Sequence, residues 1–184
     1  MTYYLLEQDL RIPDSTAIGA VPEHIEPSDW IAGKRMESPG RLRLRLSNSG
    51  GGFRGDIIGT LLTLFSDDLK AALEGLGIDN VEYHPVELED PRTHEVESGY
   101  WLINIVGLVA CVDRGRSTIK PRPSGGFGIL ESFRVDPART QGFRMFRLGE
   151  KPTLIVIDES LRRCLLERNL VGVRMRSTES YDGF

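Results

Sequence analysis

The sequence predicts an α+β fold: a mixed or mostly antiparallel sheet, a few short helices, and two similar strand–helix–strand units. Three observations lead there. Segments with two-residue alternation or short apolar runs outnumber segments with helical spacing. Twenty glycines and ten prolines among 184 residues punctuate the chain often, which keeps elements short. One pattern, a strand, a capping residue, a helical stripe and a second strand, occurs twice at an offset of 92 positions.

The elements follow in order. Tyr3–Leu6 is a short strand, followed by a polar stretch broken by Pro13, Pro22 and Pro27. Ser28 or Asp29 can cap a turn that carries Trp30 and Ile31. Arg41–Leu46 alternates strictly, so Leu42, Leu44 and Leu46 face inward and Arg41, Arg43 and Arg45 outward. Asn48–Gly52 is a loop. Leu61–Phe65 reads as a strand, Ser66 as an N-cap, and Asp67 and Asp68 as first-turn carboxylates suited to the helix dipole. Leu69, Ala72, Leu73 and Leu76 form the buried stripe, Gly77 ends the helix, and Ile78–Leu88 returns as a strand.

Near the C-terminus Leu154–Ile157 is a strand, Asp158 a cap, and Leu161, Cys164 and Leu165 a buried stripe. Asn169 stands where Gly77 stood, and both residue types tolerate the left-handed conformation. Leu170, Val173 and Met175 match Ile78, Val81 and Tyr83 without a gap. Between the units lie Tyr100–Val112, a long strand or bent pair, a loop at Gly115–Gly128, and strands at Ile129–Val135 and Phe143–Leu148. Asn104, buried in its strand, requires hydrogen-bond partners.

Composition bounds the function. With 40 % hydrophobic and 27 % charged residues the chain folds, and a net charge of −4 with a pI near 5.5 argues against a general binder of nucleic acid or anionic membranes. The longest apolar stretch, Tyr100–Val112, falls short of the roughly 20 residues a membrane span needs. The N-terminus meets Glu7 and Asp9 without a basic segment, so it is not read as a signal peptide. Two cysteines, Cys111 and Cys164, are expected as buried thiols. The expected location is cytoplasmic.

No catalytic constellation emerges. Gly50, Gly52 and Gly55 satisfy G-x-G-x-x-G, but Asp56 and a strand-like stretch follow rather than a helix, so a surface loop is expected. His24, His84 and His94 lack a second ligand at metal spacing, and no serine or cysteine sits in a nucleophile motif. The reading therefore assigns no catalytic residue, cofactor or metal. Charge is the stronger signal. Residues 82–97 carry six acids against Arg92, a net of −5, which leaves the rest of the chain at +1. A solvated hairpin and a contact surface for a basic partner both fit. The arginine face of Arg41, Arg43 and Arg45 is the second charged candidate.

The arrangement as a whole resembles a known family. The residues that carry the resemblance are Tyr3-Tyr4-Leu5-Leu6; Asp56 before a strand running into Ser66-Asp67-Asp68-Leu69; Val81, Tyr83, Pro85 and Val86; Tyr100-Trp101-Leu102-Ile103-Asn104; Asp113 and Ser117; Phe146-Arg147-Leu148; and Ile157-Asp158-Glu159-Ser160-Leu161 with Leu170-Val171-Gly172-Val173. This is similar to a bacterial family of polymorphic-toxin immunity proteins with a myxobacterial prototype, formerly a domain of unknown function. The resemblance implies one immunity-protein-like domain over 1–184, with a variable part at 1–55 and a core at 56–176 whose units span 61–88 and 153–176. It implies a non-enzymatic protein that binds and neutralises a cognate protein toxin, with no nucleic-acid or membrane partner. It carries no family binding residues across. The acidic stretch supplies the candidate contact: Glu87, Glu89, Asp90, Glu95 and Glu97, facing a basic toxin. A structural or regulatory interaction module without a toxin is the alternative, and gene context separates the two.

Overall fold

The structure, a computed structural model, describes residues 2–121 and 127–183. In chain order the strands and helices are β1 (Tyr3–Gln8), β2 (Leu42–Arg45), β3 (Ile57–Ile58), β4 (Leu64–Ser66), α1 (Asp67–Gly75), β5 (Val81–Glu89), β6 (Val96–Ile105), β7 (Leu108–Val109), β8 (Thr118–Lys120), β9 (Ile129–Ser132), β10 (Met145–Leu148), β11 (Lys151–Asp158), α2 (Glu159–Leu166) and β12 (Val173–Ser177). Short 3-10 turns interrupt the loops, one of them at Asp29–Ile31. The strands form two mixed five-stranded sheets, ordered β2-β5-β6-β4-β3 and β12-β1-β11-β10-β7, plus the β8–β9 pair. The fold is α+β.

Both strand–helix–strand units are present, and the 92-residue offset holds at their key points. The helix caps are Ser66 and Asp158, the helices begin at Asp67 and Glu159, and the closing strands begin at Val81 and Val173. The Ser66 hydroxyl accepts from the Leu69 N–H at 3.1 Å, and the Asp158 carboxylate from the Leu161 N–H at 2.6 Å. Each satisfies a backbone donor that the first helical turn leaves open.

The topology adds what the pattern did not contain. In each unit the two strands joined by the helix are separated in the sheet by a third strand, antiparallel to both. That strand is β6 in the first unit. In the second it is β1, from the start of the chain. With β3 and β10 included, β3-β4-β6-β5 and β10-β11-β1-β12 are two sheets of the same order. The first 55 residues thus enter both sheets, through β1 and β2.

Strand alternation sorts the apolar side chains into three layers. The central layer joins both helices to the inner faces of both sheets, with Phe65, Leu69, Leu73 and Ile103 meeting Leu6, Ile157, Leu161 and Leu165. Leu76, at the end of its stripe, and Cys164, between the buried Leu161 and Leu165, both expected to be buried, are half-buried. Behind one sheet lie Tyr3, Leu5, Cys111, Phe133, Phe146 and Tyr181. Behind the other lie Trp30, Leu42, Leu44, Leu46, Leu64 and Leu102.

Two side chains join the units end to end. Asp56 accepts the Ser66 hydroxyl proton and the Val171 N–H, the latter at 2.5 Å, and its own N–H donates to the Val171 carbonyl at 2.8 Å. The start of α1 is thereby tied to the loop after α2. Arg144 does the converse, donating to the Leu76 carbonyl at 3.0 Å and the Ser160 hydroxyl at 3.2 Å, with Asp158 3.5 Å away. This link explains a departure from expectation. Among the described residues, positive φ falls on Asp14, His94 and Gln141 apart from glycines, so Asn169 does not take the left-handed form. Gly172 does, at φ +66°, and the position also needs glycine because a Cβ there would stand 2.8 Å from the Gly55 Cα. The Gly50–Gly55 loop runs into β3 rather than a helix, and Gly55 serves this close approach.

Other boundaries also move. Residues 61–63 form a turn, and Leu61 is partly exposed, so that strand begins at Leu64. The expected 115–128 loop contains β8, and residues 122–126 lie outside the described residues. Tyr100–Val112 is a bent pair, β6 then β7. Ser28 precedes the predicted turn but does not cap it, since its hydroxyl binds Glu26 at 2.9 Å.

The segment through Trp30 is strapped over its sheet. Trp30 packs edge-on against His84 at 5.1 Å between centroids. The Asn104 amide donates to the Lys34 carbonyl at 2.7 Å and to Glu82 at 2.8 Å, and Glu82 also takes the Met36 N–H at 2.9 Å. The buried Asn104 amide nitrogen therefore has its partners, while its Oδ1 is left without one among the described residues. Burial pushes His84 below its ordinary value of 6.5, against the weaker upward pull of Glu82.

Three outcomes follow. Leu73→Ala or Leu165→Ala lowers the unfolding free energy by about 2–5 kcal/mol, measured in urea, and each variant still unfolds in one transition because the two stripes share a layer. Asp56→Ala costs about 1–3 kcal/mol by stranding the Val171 N–H, which hydrogen exchange at Val171 reports as lost protection. Because the fold favours neutral His84, the unfolded chain binds more protons near and below pH 6.5, so its contribution to stability is present above that value and lost as pH falls. Urea unfolding between pH 5.5 and 7.5, on the order of this titration range, shows that slope, and His84→Gln flattens it.

Candidate functional site

The two charged candidates are one face. β2 runs parallel to β5 with Arg43 opposite Glu87 and Arg45 opposite Glu89. On both strands the apolar residues turn inward, so arginines and glutamates emerge on the same side. Opposite charges across a strand pair stabilise it modestly and fix its register. Glu87 is gripped by Arg41 and by Arg43, the latter through Nη2 at 3.0 Å and Nε at 3.2 Å. Glu89 lies 4.0 Å from Arg45 and 3.9 Å from His94.

The hairpin after β5 extends this pattern. Asp90 accepts the Arg92 N–H at 2.9 Å and the guanidiniums of Arg92 and Arg54 at 3.2 and 3.3 Å. The backbone closes around it, with Asp90 N–H to the Glu95 carbonyl at 2.9 Å and His94 N–H to the Asp90 carbonyl at 2.8 Å. Arg54 spans to Glu97 at 3.1 Å and reaches the Thr16 hydroxyl at 2.6 Å. Glu95 receives a 3.4 Å hydrogen bond from Thr93 and forms no ion pair among the described residues.

These contacts set the electrostatics. The Arg92 guanidinium and N–H, with Arg54, hold the Asp90 carboxyl well below the usual carboxylate range. Arg43 and Arg41 also lower Glu87. The glutamates are also the recessed partners. The Glu87 and Glu89 side chains are 17 % and 26 % exposed, whereas Arg41, Arg43 and Arg45 are 80 %, 57 % and 54 % exposed. On the β2–β5 pair the outer layer is therefore cationic and the layer beneath anionic, while at the hairpin the order reverses, with Arg54 more recessed than Glu97.

The structure sets Glu87 and Glu89 on the outer face of β5, but Asp90, 9 % exposed, and Glu97, paired across from the inward-facing Leu88, turn to the other side, where both bind Arg54, and Glu95 stands in the turn that joins them. Sequence reasoning missed their partners because pairs such as Arg41–Glu87 lie 46 positions apart. A signal was present: Val86-Glu87-Leu88-Glu89 has the same two-residue period as Arg41–Leu46 with the opposite charge.

Of the remaining chemistry-bearing groups, His24 and His94 are exposed, Cys164 is half-buried, and Cys111 and Arg147 are buried. Burial pushes the Cys111 thiol up to about 12, with Glu150 adding to it, so it is no nucleophile at neutral pH. Arg147 is fully buried and donates to the Pro152 carbonyl at 3.1 Å; burial lowers it to about 10, so it stays charged at neutral pH. Among the described residues no three His, Cys, Asp or Glu side chains gather to hold a metal ion, and no helix is long and apolar enough to cross a membrane.

Comparison with known families matches residues 1–180 to the model of one described as Immunity protein family (Imm11). No curated protein matches the chain.

Proposed function

The chain belongs to the immunity protein family Imm11, and from that premise we propose that it binds a cognate polymorphic toxin and neutralises it in the cytoplasm of the bacterium that makes both. The observation that carries this reading is the extent of the match. It runs through both strand–helix–strand units and the layers behind both sheets, so the whole scaffold is of the immunity type. The action proposed is occlusion by binding, without chemistry on the toxin.

The end of the sheet where β2, β5 and the 90–97 hairpin meet is the proposed contact, with Glu87, Glu89, Glu95 and Glu97 answering basic groups on the toxin and the buried Asp90 holding the hairpin that presents them. Two strands and a closed hairpin hold these charges in fixed register, which suits discrimination between toxins more than raw affinity. Glu95 and Glu97, at the outer end, are the acids most available to a partner. The paired glutamates keep their arginines in position, so the toxin meets a pattern of both signs.

The experiment is co-expression with the adjacent toxin gene. Growth of a sensitive host is restored by this chain and not by an unrelated immunity protein, and the purified pair forms a stoichiometric complex. Absence of both rescue and complex sinks the reading. For the face itself, Glu87→Gln, Glu89→Gln, Glu95→Gln and Glu97→Gln together, with Asp90 kept to preserve the hairpin, slow association about tenfold at low ionic strength and flatten its salt dependence. Stopped-flow association rates across a salt series measure this, and an unchanged rate and slope place the contact elsewhere.

A further inference from the structure

An internally paired charge face steers and selects, but affinity comes chiefly from apolar groups that lose water at the centre of an interface. Leu10 is the most exposed large apolar side chain among the described residues, at 70 %. It stands on the turn after β1, and that turn is held firmly. The Asp9 N–H donates to the Gly172 carbonyl at 2.9 Å, the Ile12 N–H to the Asp9 carbonyl at 3.2 Å, and the Asp9 carboxylate clamps Arg11 at 2.7 Å.

A cavity opens on either side of Leu10. One, of about 330 Å³, is walled by Ile18, Val21, Pro27 and Leu62, with the partly exposed Leu61 at its edge. The other, of about 410 Å³, is bounded by Leu5, Leu154, Lys151 and Arg174. Gln8, Leu10 and Thr60 line both, so the two form one groove with Leu10 as its central ridge. Its floor is preformed. The Gln8 amide donates to the Thr16 carbonyl at 2.8 Å and accepts the Gly59 N–H at 3.0 Å. Gly59 takes φ +84°, and a Cβ there would lie 2.3 Å from the Leu62 carbonyl oxygen, so the wall needs glycine.

The groove differs in charge from end to end. At the far end the Lys151 ammonium contacts the Tyr181 hydroxyl and the Gly183 carbonyl, the latter at 3.2 Å, and has no carboxylate partner among the described residues. Arg174, beside it, lies 3.6 Å from Glu7. The near end abuts the charged face through Thr16, whose hydroxyl takes Arg54 and whose carbonyl takes Gln8. An apolar centre bordered by ordered charges is the anatomy of a protein–protein contact.

We propose that this groove is the energetic centre of the toxin contact: it takes an extended toxin segment with apolar side chains on both sides of Leu10 and a carboxylate at the Lys151 end. The proposal rests on the reading of the chain as a toxin-binding immunity protein. The paired charges of the 87–97 face are then its rim.

The test titrates the purified toxin domain encoded by the adjacent gene against wild type, Leu10→Asp, Leu10→Met and Lys151→Glu. Leu10→Asp raises Kd about 30-fold or more, the size of a hot-spot loss, while Leu10→Met, which keeps the apolar volume, binds as wild type does. Lys151→Glu raises Kd about tenfold and reduces its salt dependence. Thermal unfolding stays unchanged for both Leu10 variants, as expected for a side chain in solvent. Leu10→Asp binding within about twofold of wild type, the additivity scatter of an exposed site, overturns the groove as the centre. Lys151→Glu without effect overturns the carboxylate at its end. Sedimentation of the immunity protein alone gives a monomer; a dimer that Leu10→Asp dissociates assigns the groove to a second copy and overturns the toxin as its occupant. Wild type that fails to bind the toxin at all defeats the functional reading itself, which a binding wild type and binding Leu10→Asp would leave standing.

Discussion

The structure depends on Asp56. Its carboxylate joins the hydroxyl that caps α1 to a backbone N–H beyond α2, 115 positions away. Burying a carboxylate is costly unless it is fully hydrogen-bonded, and here the bonds are made to groups that would themselves be orphaned without it. The closeness this requires is possible because Gly55 and Gly172 meet backbone to backbone. Arg144 makes the opposite join at the other helix ends. The central apolar layer can form only when the two units stand in this relation, since its residues come from both.

The same economy governs the charged face. The chain concentrates acids in residues 82–97, yet the fold exposes little of that excess. Arg41 and Arg43 reach over Glu87 and leave guanidinium groups outermost, whereas Arg54 lies beneath Glu97. Such exposed pairs contribute little to stability. Their effect is geometric, because they fix a two-sign pattern on a surface that strands already hold. Under the proposed role, a surface that accepts one toxin and refuses its relatives would gain more from that pattern than from a uniform negative field.

In the proposed contact, affinity and specificity are separated in space. The ladder and hairpin carry the ordered charges, while the turn after β1 and its two cavities carry apolar surface on a preformed floor. Thr16 connects them, and its hydroxyl and carbonyl belong to the two networks respectively. The first strand of the chain is thus a structural element of one sheet and, through Gln8 and Leu10, the boundary of the groove.

Adjacent residues determined much of this protein on their own. Ser66 and Asp158 announce helices because a side-chain oxygen one turn ahead of an open N–H needs only local geometry. The alternation of Arg41–Leu46 announces a half-buried strand because side chains on a strand point to opposite faces. The 92-residue offset announces two like units, and the resemblance of the whole arrangement to an immunity family pointed toward binding. The tertiary structure alone decided which strand fills each unit, β6 from the following chain in one and β1 from the N-terminus in the other. It decided that Gly172 rather than Asn169 turns left-handed, that Leu61 stays outside its sheet, and that the predicted acidic and arginine faces neutralise each other. In each case the partner lies tens to more than a hundred residues away, and strand pairing depends on which edges remain free after the rest has folded. Local propensity carries no record of that. The five acids were legible as charge, but their pairing, recession and proximity to an apolar groove came into being only when β2 met β5.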